Sequence, residues 1–325
     1  MQENPQDTSF QGSLQNEKPT YASLSPKLAL QLAAPHTWPA AIIPVLFAVA
    51  LASVSQGFIS VSLALALLCI SILMQATANT LNDYFDFKKG ADSLENQKDP
   101  TDAVLVYNKV NPTSVLFLAV GFVACAAALG LYVIVCAGWI PLAIGFIGAA
   151  IIVLYSAGKT PLSYLPLGEV ISGITMGYLI ALASYQALTG IFSLEMLWLS
   201  LPLVVGIGLI MFTNNLCDIE KDIQAGRKTL PVLLGRARAR KVYQGALVGW
   251  IVLIGLLVAL FFTAGLLVVG FMLIILYPLL STLWKNPFVF ETRAPAMASC
   301  LNANIGLGVF YILAILFSSV VHVIF

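Results

Sequence analysis

Charge is what this sequence has least of. Only 10% of its 325 residues are Asp, Glu, Lys or Arg, where a soluble domain carries about 25%. So few charges cannot cover a soluble globule of this length, which excludes an ordinary soluble enzyme. Neither sign is in excess: sixteen basic residues face fifteen acidic ones, net +1, so there is no basic field for nucleic acid. Histidine is limited to two residues, and the five cysteines (Cys69, Cys125, Cys136, Cys217, Cys300) show no C-x-x-C spacing. Four of them lie inside apolar runs and read as small core hydrophobes rather than disulfides or zinc ligands. What the sequence does have is apolar surface: 59% of it is hydrophobic, which excludes a disordered or collagenous chain. This is the composition of an integral membrane protein.

The charge-free runs give the organisation. Residues 28–82, 110–158, 242–284 and 294–325 contain no Asp, Glu, Lys or Arg, and 160–213 contains only Glu169 and Glu195. One helical crossing of a bilayer takes about 20 residues. Each of the four longer runs is about twice that and predicts a helical hairpin. The turns are expected near Ser55-Gln56-Gly57, at Gly138-Trp139-Ile140-Pro141, around Gly190–Glu195 and near Thr263-Ala264-Gly265. With a last helix near 299–321, the expected fold is all-α, a polytopic membrane protein of about nine spans. Residues 1–26, rich in Gln, Asn, Ser and Pro and without an apolar h-region, read as a disordered tail ahead of a membrane domain over 27–325.

Nine spans place the tail and the 2–3, 4–5, 6–7 and 8–9 loops on one side. Those segments hold all sixteen Lys and Arg residues. By the positive-inside rule that side is cytoplasmic and the C-terminus lies outside. All acids but Glu195 fall on the same side.

The acids concentrate in two segments. The first reads N79-T-L-N82-D83-Y-F-D86-F-K88-K89-G90-A-D92, and the second N214-N215-L-C217-D218-I-E220-K-D222-I-Q-A-G226-R227-K228. With Asp83 set over Asp218, Asn79 falls over Asn214 and Leu81 over Leu216; a second Asp and then a Gly follow at near-equal offsets. Both segments follow spans running in the same direction, as in a worn parallel repeat. Asp83/Asp86 at i,i+3 and Asp218/Asp222 at i,i+4 each put two carboxylates on one face of a continuing helix. Acids at a helix C-terminal end oppose the dipole and repel each other, so the arrangement calls for a cation. Oxygen donors without His or Cys suit Mg²⁺, which takes one or two carboxylates plus substrate phosphates. Lys88 and Lys89 stand beside one pair and Arg227 and Lys228 beside the other, a combination suited to a diphosphate.

NDYFDFKKGAD and NNLCDIEKDIQAGRKTLPVLLG resemble the two aspartate-rich motifs of the UbiA superfamily of intramembrane aromatic prenyltransferases. The long forms are most similar to its menaquinone branch, the 1,4-dihydroxy-2-naphthoate polyprenyltransferases. Tyr155–Glu169 resembles that branch's loop 4–5, and Pro35-His-Thr-Trp-Pro-Ala its entry to span 1. The resemblance implies a central cavity open sideways to lipid, with a polyprenyl diphosphate bound through Mg²⁺ and an aromatic acceptor beside it. Asn82, Asp83 and Asp86, with Asp92 closing the motif, would hold one Mg²⁺; Asn215, Asp218 and Asp222 would hold another. Arg227, Lys228, Lys159 and Lys88 would grip the diphosphate, and Tyr84, Phe85 and Tyr155 would shield an allylic cation. In that branch the acceptor's carboxylate leaves as carbon dioxide, giving a demethylmenaquinone. The chain departs from the branch where Cys217 replaces a common Arg, where Pro35-His36-Thr37 replaces a basic Arg-Pro-x-Thr, and where Asp99–Asn108 contains no Arg.

Other acceptors of the same chemistry are 4-hydroxybenzoate and homogentisate. A cation-coupled secondary transporter is the alternative from another class, since intramembrane acids and a parallel repeat suit one. Transport carboxylates sit near span centres, however, and here each acid pair lies at a span end. Glu169 reads equally as a helix-start acid and as a site residue, and His36 as an interfacial histidine or an acceptor contact. The run Arg236–Lys241 reads as a positive-inside anchor for anionic lipid in preference to a phosphate clamp. No protein partner can be named from the sequence.

Overall fold

A computed structural model describes residues 21–90 and 103–324. Asp92 and most of the predicted tail lie outside the described residues. The elements in chain order are α1 (Pro26–Ala33), α2 (Pro39–Gln56), α3 (Val61–Lys88), α4 (Val104–Asn108), α5 (Pro112–Ala137) and α6 (Ile140–Ser156). Next come α7 (Gly168–Ser172), which runs through a π-helical segment (Gly173–Leu179) into α8 (Ile180–Thr189), then α9 (Glu195–Leu199), α10 (Leu201–Cys217) and α11 (Ile219–Gln224). The chain finishes with α12 (Leu230–Leu234), α13 (Arg236–Phe261), α14 (Leu266–Lys285) and α15 (Arg293–Ile324). The only β-type pairing among the described residues is an isolated bridge between Ala22 and Val110. That bridge, together with Ser25 capping α1 by accepting from the Leu28 amide, gives residues 21–26 ordered contacts although the sequence reading put them in the tail.

Among the described residues, seven helical stretches are long and apolar enough to cross a membrane, and two shorter apolar helices, Ile140–Ser156 and Leu201–Cys217, accompany them. The helix breaks fall where glycine permits a left-handed backbone: Gly57 at φ 71°, Gly138 at φ 76° and Gly190 at φ 74°. The α13–α14 break is the 3₁₀ turn Thr263–Gly265. Large apolar side chains cover the outside, among them Phe117, Val135, Phe146, Ile274 and Tyr277, an arrangement suited to lipid rather than water.

The interior is built by α2, α10, α13, α14 and α15, whose Phe47, Tyr243, Met272, Leu307 and Tyr311 are fully buried. Phe47 stacks on Tyr311 with ring centroids 5.4 Å apart. The π-helical segment lies directly on α10. A Cβ on Gly173 would stand 2.4 Å from the Val204 carbonyl oxygen, and one on Gly177 2.5 Å from the Val204 nitrogen. Only glycine allows that approach, which packs the π-helical segment against the first turn of α10.

Candidate active site

Both acid motifs line one cavity of about 260 Å³. From α3 come Gln75, Asn79, Asn82, Asp83 and Asp86, and from the α10–α11 region Asn214, Asp218, Lys221, Asp222 and Arg227. Further polar side chains there include His36, Thr37 and Arg293, and Met176, Ile207, Ile210, Met211, Met297 and Leu301 supply an apolar part of the wall. Part of the lining is therefore suited to charge and part to hydrocarbon or an aromatic ring.

The first pair rides in the last turns of α3, as its spacing predicts. The second differs from the expected continuing helix. α10 ends at Asp218, whose backbone (φ −102°, ψ 18°) departs from helical geometry, and α11 starts at the next residue. The hydrogen bond from the Asp222 amide to the Asp218 carbonyl survives at 2.9 Å, so the pair stays together across the break.

Arg227 ties the motifs to each other. Its Nη2 donates to both carboxylate oxygens of Asp86 at 3.0 Å, and its Nη1 lies 3.9 Å from Asp222 Oδ1. The guanidinium also lies over the Tyr164 ring, 4.8 Å from its centroid. Burial opposes its charge, but Asp86 and Asp222 outweigh that and hold its pKa above the ordinary value. Burial pushes the Asp222 carboxyl up to about 6, against the pull of Arg227 and of the Thr229 hydroxyl, which donates to Asp222 Oδ2 at 3.0 Å.

The predicted site residues separate into two groups. Asn82, Asp83, Asp86, Asp218, Asp222 and Arg227 meet at the cavity. Asn215, Tyr155, Lys88, Lys159 and Lys228 are not among its lining residues. Asn215 is buried, and its Nδ2 donates to Glu169 Oε1 at 2.8 Å; the cavity position belongs to its neighbour Asn214, one helical turn before Asp218. Lys88, Lys159 and Lys228 are exposed, and Lys88 lies over the Tyr84 ring. Tyr155 is hydrogen-bonded with Ser172. Cys217 is fully buried behind the cavity. Sequence reasoning missed Arg293, Gln75 and Asn214 as lining residues. The alignment of Asn79 with Asn214 was the signal for the last; for Arg293 the only signal was a lone basic residue at the entry of the final span.

The donor set can be tested against Mg²⁺. Among the described residues no three of His, Cys, Asp and Glu come together as a self-sufficient metal site. Each motif instead supplies two carboxylates, the share a protein commonly gives Mg²⁺ when phosphate oxygens and water complete the shell. Two buried polar atoms at the cavity also lack a hydrogen-bond partner among the described residues: Asp218 Oδ1, an acceptor, and Arg227 Nε, a donor. Such atoms carry a desolvation cost unless a ligand satisfies them. A cation for the oxygen and an anion for the nitrogen fit both, so the residues suit a Mg²⁺–diphosphate pair rather than a bare ion.

Comparison with known proteins identifies the family. The pattern of the UbiA prenyltransferase family matches residues 41–305. The chain belongs to that family. It is 36% identical over 211 residues to 1,4-dihydroxy-2-naphthoate octaprenyltransferase of Bacillus subtilis (strain 168), a match spanning 64% of this chain and 66% of that protein. It is 29% identical over 211 residues to UbiA prenyltransferase domain-containing protein 1 of Gallus gallus, spanning 64% of this chain and 62% of the relative. The matches thus cover slightly less than two thirds of these relatives' lengths. In fold, the chain resembles a UbiA homolog from Archaeoglobus fulgidus bound to DMAPP and Mg²⁺, with a TM-score of 0.63 at 16% identity over 89% of this chain and 98% of that one. UbiA membership, with both acid pairs at helix ends, removes the reason to favour a transporter.

Proposed function

We propose that this UbiA-family protein transfers a polyprenyl group from a polyprenyl diphosphate to 1,4-dihydroxy-2-naphthoate. The observation that carries the reading is the Arg227 bridge: a residue of the second motif grips Asp86 of the first, so both acid pairs serve one cavity that also has an apolar lining. The similarity to the Bacillus naphthoate octaprenyltransferase supports the acceptor. The fold shared with a homolog bound to DMAPP and Mg²⁺ supports the donor and the metal.

In this reading Asn82, Asp83 and Asp86 hold Mg²⁺ at the first motif and Asp218 and Asp222 at the second. Asp92 joins the first set and Asn215 backs the second from behind the cavity wall. The bound metal would screen the diphosphate's charge and make it a better leaving group. Arg227 turns its unpartnered Nε–H to a diphosphate oxygen and stabilises the charge that develops there. The exposed Lys88, Lys159 and Lys228 would draw the anionic head group from water. The apolar wall takes the prenyl chain and keeps water from the allylic cation. The C–O bond of the donor breaks, a C–C bond forms to the electron-rich ring, and diphosphate and carbon dioxide depart, leaving the quinol form of a demethylmenaquinone. The site faces the cytoplasm in the cell membrane, the C-terminus lies outside, and residues 1–26 precede the membrane domain 27–325.

The test offers purified protein in detergent Mg²⁺, geranylgeranyl diphosphate and two competing acceptors, 1,4-dihydroxy-2-naphthoate and 4-hydroxybenzoate, with products read by mass. A prenylated, decarboxylated naphthoquinone that disappears with chelator is the expected result. Prenyl-hydroxybenzoate would move the acceptor and keep the chemistry, and no prenylated product from either would refute the proposed reaction.

A further inference from the structure

Arg293 stands outside both motifs, as the first residue of α15, yet it lines the same cavity. Its Nε donates to Asp218 Oδ2 at 3.0 Å and its Nη2 to Asn214 Oδ1 at 2.7 Å. Asn214 and Asp218 are one helical turn apart on α10, so the guanidinium spans the last turn of that helix. It does so where the helix gives way: the Asp218 backbone has left helical geometry, and the side chain is no longer oriented by a regular helix alone. The grip takes only one carboxylate oxygen. The other, Oδ1, is buried without a hydrogen-bond partner among the described residues, and a buried anionic oxygen in that condition awaits a ligand.

We propose that Arg293 is a positioning residue for the metal of the second motif, holding Asp218 by Oδ2 so that Oδ1 is presented to a divalent cation. The assignment rests on the reading above that Asp218 is a metal ligand, and it adds to that reading a residue neither motif contains. Metal-bound carboxylates are themselves held by hydrogen bonds from behind, and loss of such a support typically lowers metal affinity about 10–100-fold. A simple counter-ion would act through charge, which lysine also supplies. A two-partner grip needs the guanidinium fork, which lysine cannot reproduce.

The experiment is a Mn²⁺ titration followed by electron paramagnetic resonance on the full-length protein in detergent with inorganic pyrophosphate. It compares wild type, Arg293→Lys, Asp218→Asn and the double variant, with circular dichroism as the check on folding. Arg293→Lys, which keeps the charge, is expected to weaken Mn²⁺ about 10–100-fold and to add nothing in the Asp218→Asn background, because it acts through that carboxylate. Wild-type affinity in Arg293→Lys would overturn the proposal, and so would a loss that persists undiminished in the double variant. Absence of Mn²⁺ binding in wild type would instead overturn the metal reading of the whole site, and this assignment with it.

Discussion

Asp83 and Asp86 ride on one unbroken helix of 28 residues, whereas Asp218 and Asp222 stand on either side of the break between α10 and α11. The counter-charges differ as well. Both oxygens of Asp86 are taken by Arg227, supplied by the opposite motif, while Asp218 gives one oxygen to Arg293 of α15 and keeps the other without a hydrogen-bond partner among the described residues. Two segments that align in sequence have thus become one closed and one half-open carboxylate site. Repetition decides where the acids stand. Their readiness for a metal is set by two arginines, one reaching across from the opposite motif and one from outside the repeat.

Removing one carboxylate from each side should give the largest effect. Asp83→Asn and Asp218→Asn are each expected to lower kcat/KM roughly a thousandfold, the upper end of the cost of deleting one preorganised electrostatic group, with unchanged circular dichroism. Wild-type turnover from either variant would show that its motif does not serve the reaction. Arg227→Ala opens the closed side: it should raise KM for the prenyl diphosphate about 10–100-fold, the scale of a lost charge-assisted hydrogen bond. An unchanged KM would take Arg227 out of the donor site.

Acidity should act next, through Asp222. Its carboxyl sits near 6 in the folded protein against an ordinary 3.8, so between those values the unfolded chain is ionised while the folded one is protonated. The metal-free protein should therefore lose stability as pH rises through that window. Mg²⁺ needs the ionised form, so its affinity should be level above pH 6 and fall about tenfold per unit below it. Titration calorimetry from pH 7 to 5 checks this, and a flat profile would contradict the burial argument. The smallest effect belongs to Glu220, whose oxygens accept from Arg236 at 2.7 and 2.8 Å. That side chain is 62% exposed, so Glu220→Gln should cost less than about 1 kcal/mol of stability and leave turnover intact.

Much of the frame was legible because hydrocarbon is a demanding solvent. A charge-free run of twice the span length must turn, and Gly57, Gly138 and Gly190 mark those turns with backbones other residues rarely adopt. The acid motifs were legible because paired carboxylates at span ends have no structural excuse. The break at Asp218 was not, since the i,i+4 spacing that predicts a continuing helix is nearly preserved across it. Nor was the recruitment of Arg293, which depends on how α15 packs on α10 and leaves no local pattern. Lys88 and Lys228 show the converse: they stand beside the motifs in sequence, but both are exposed and neither lines the cavity.

The central claim is that these acids act on the donor through a metal. Equilibrium binding of labelled geranylgeranyl diphosphate to the wild-type protein, with Mg²⁺ and then with chelator, tests it most directly. The account predicts binding at least about 100-fold tighter with Mg²⁺; equal affinity in the two conditions would contradict it.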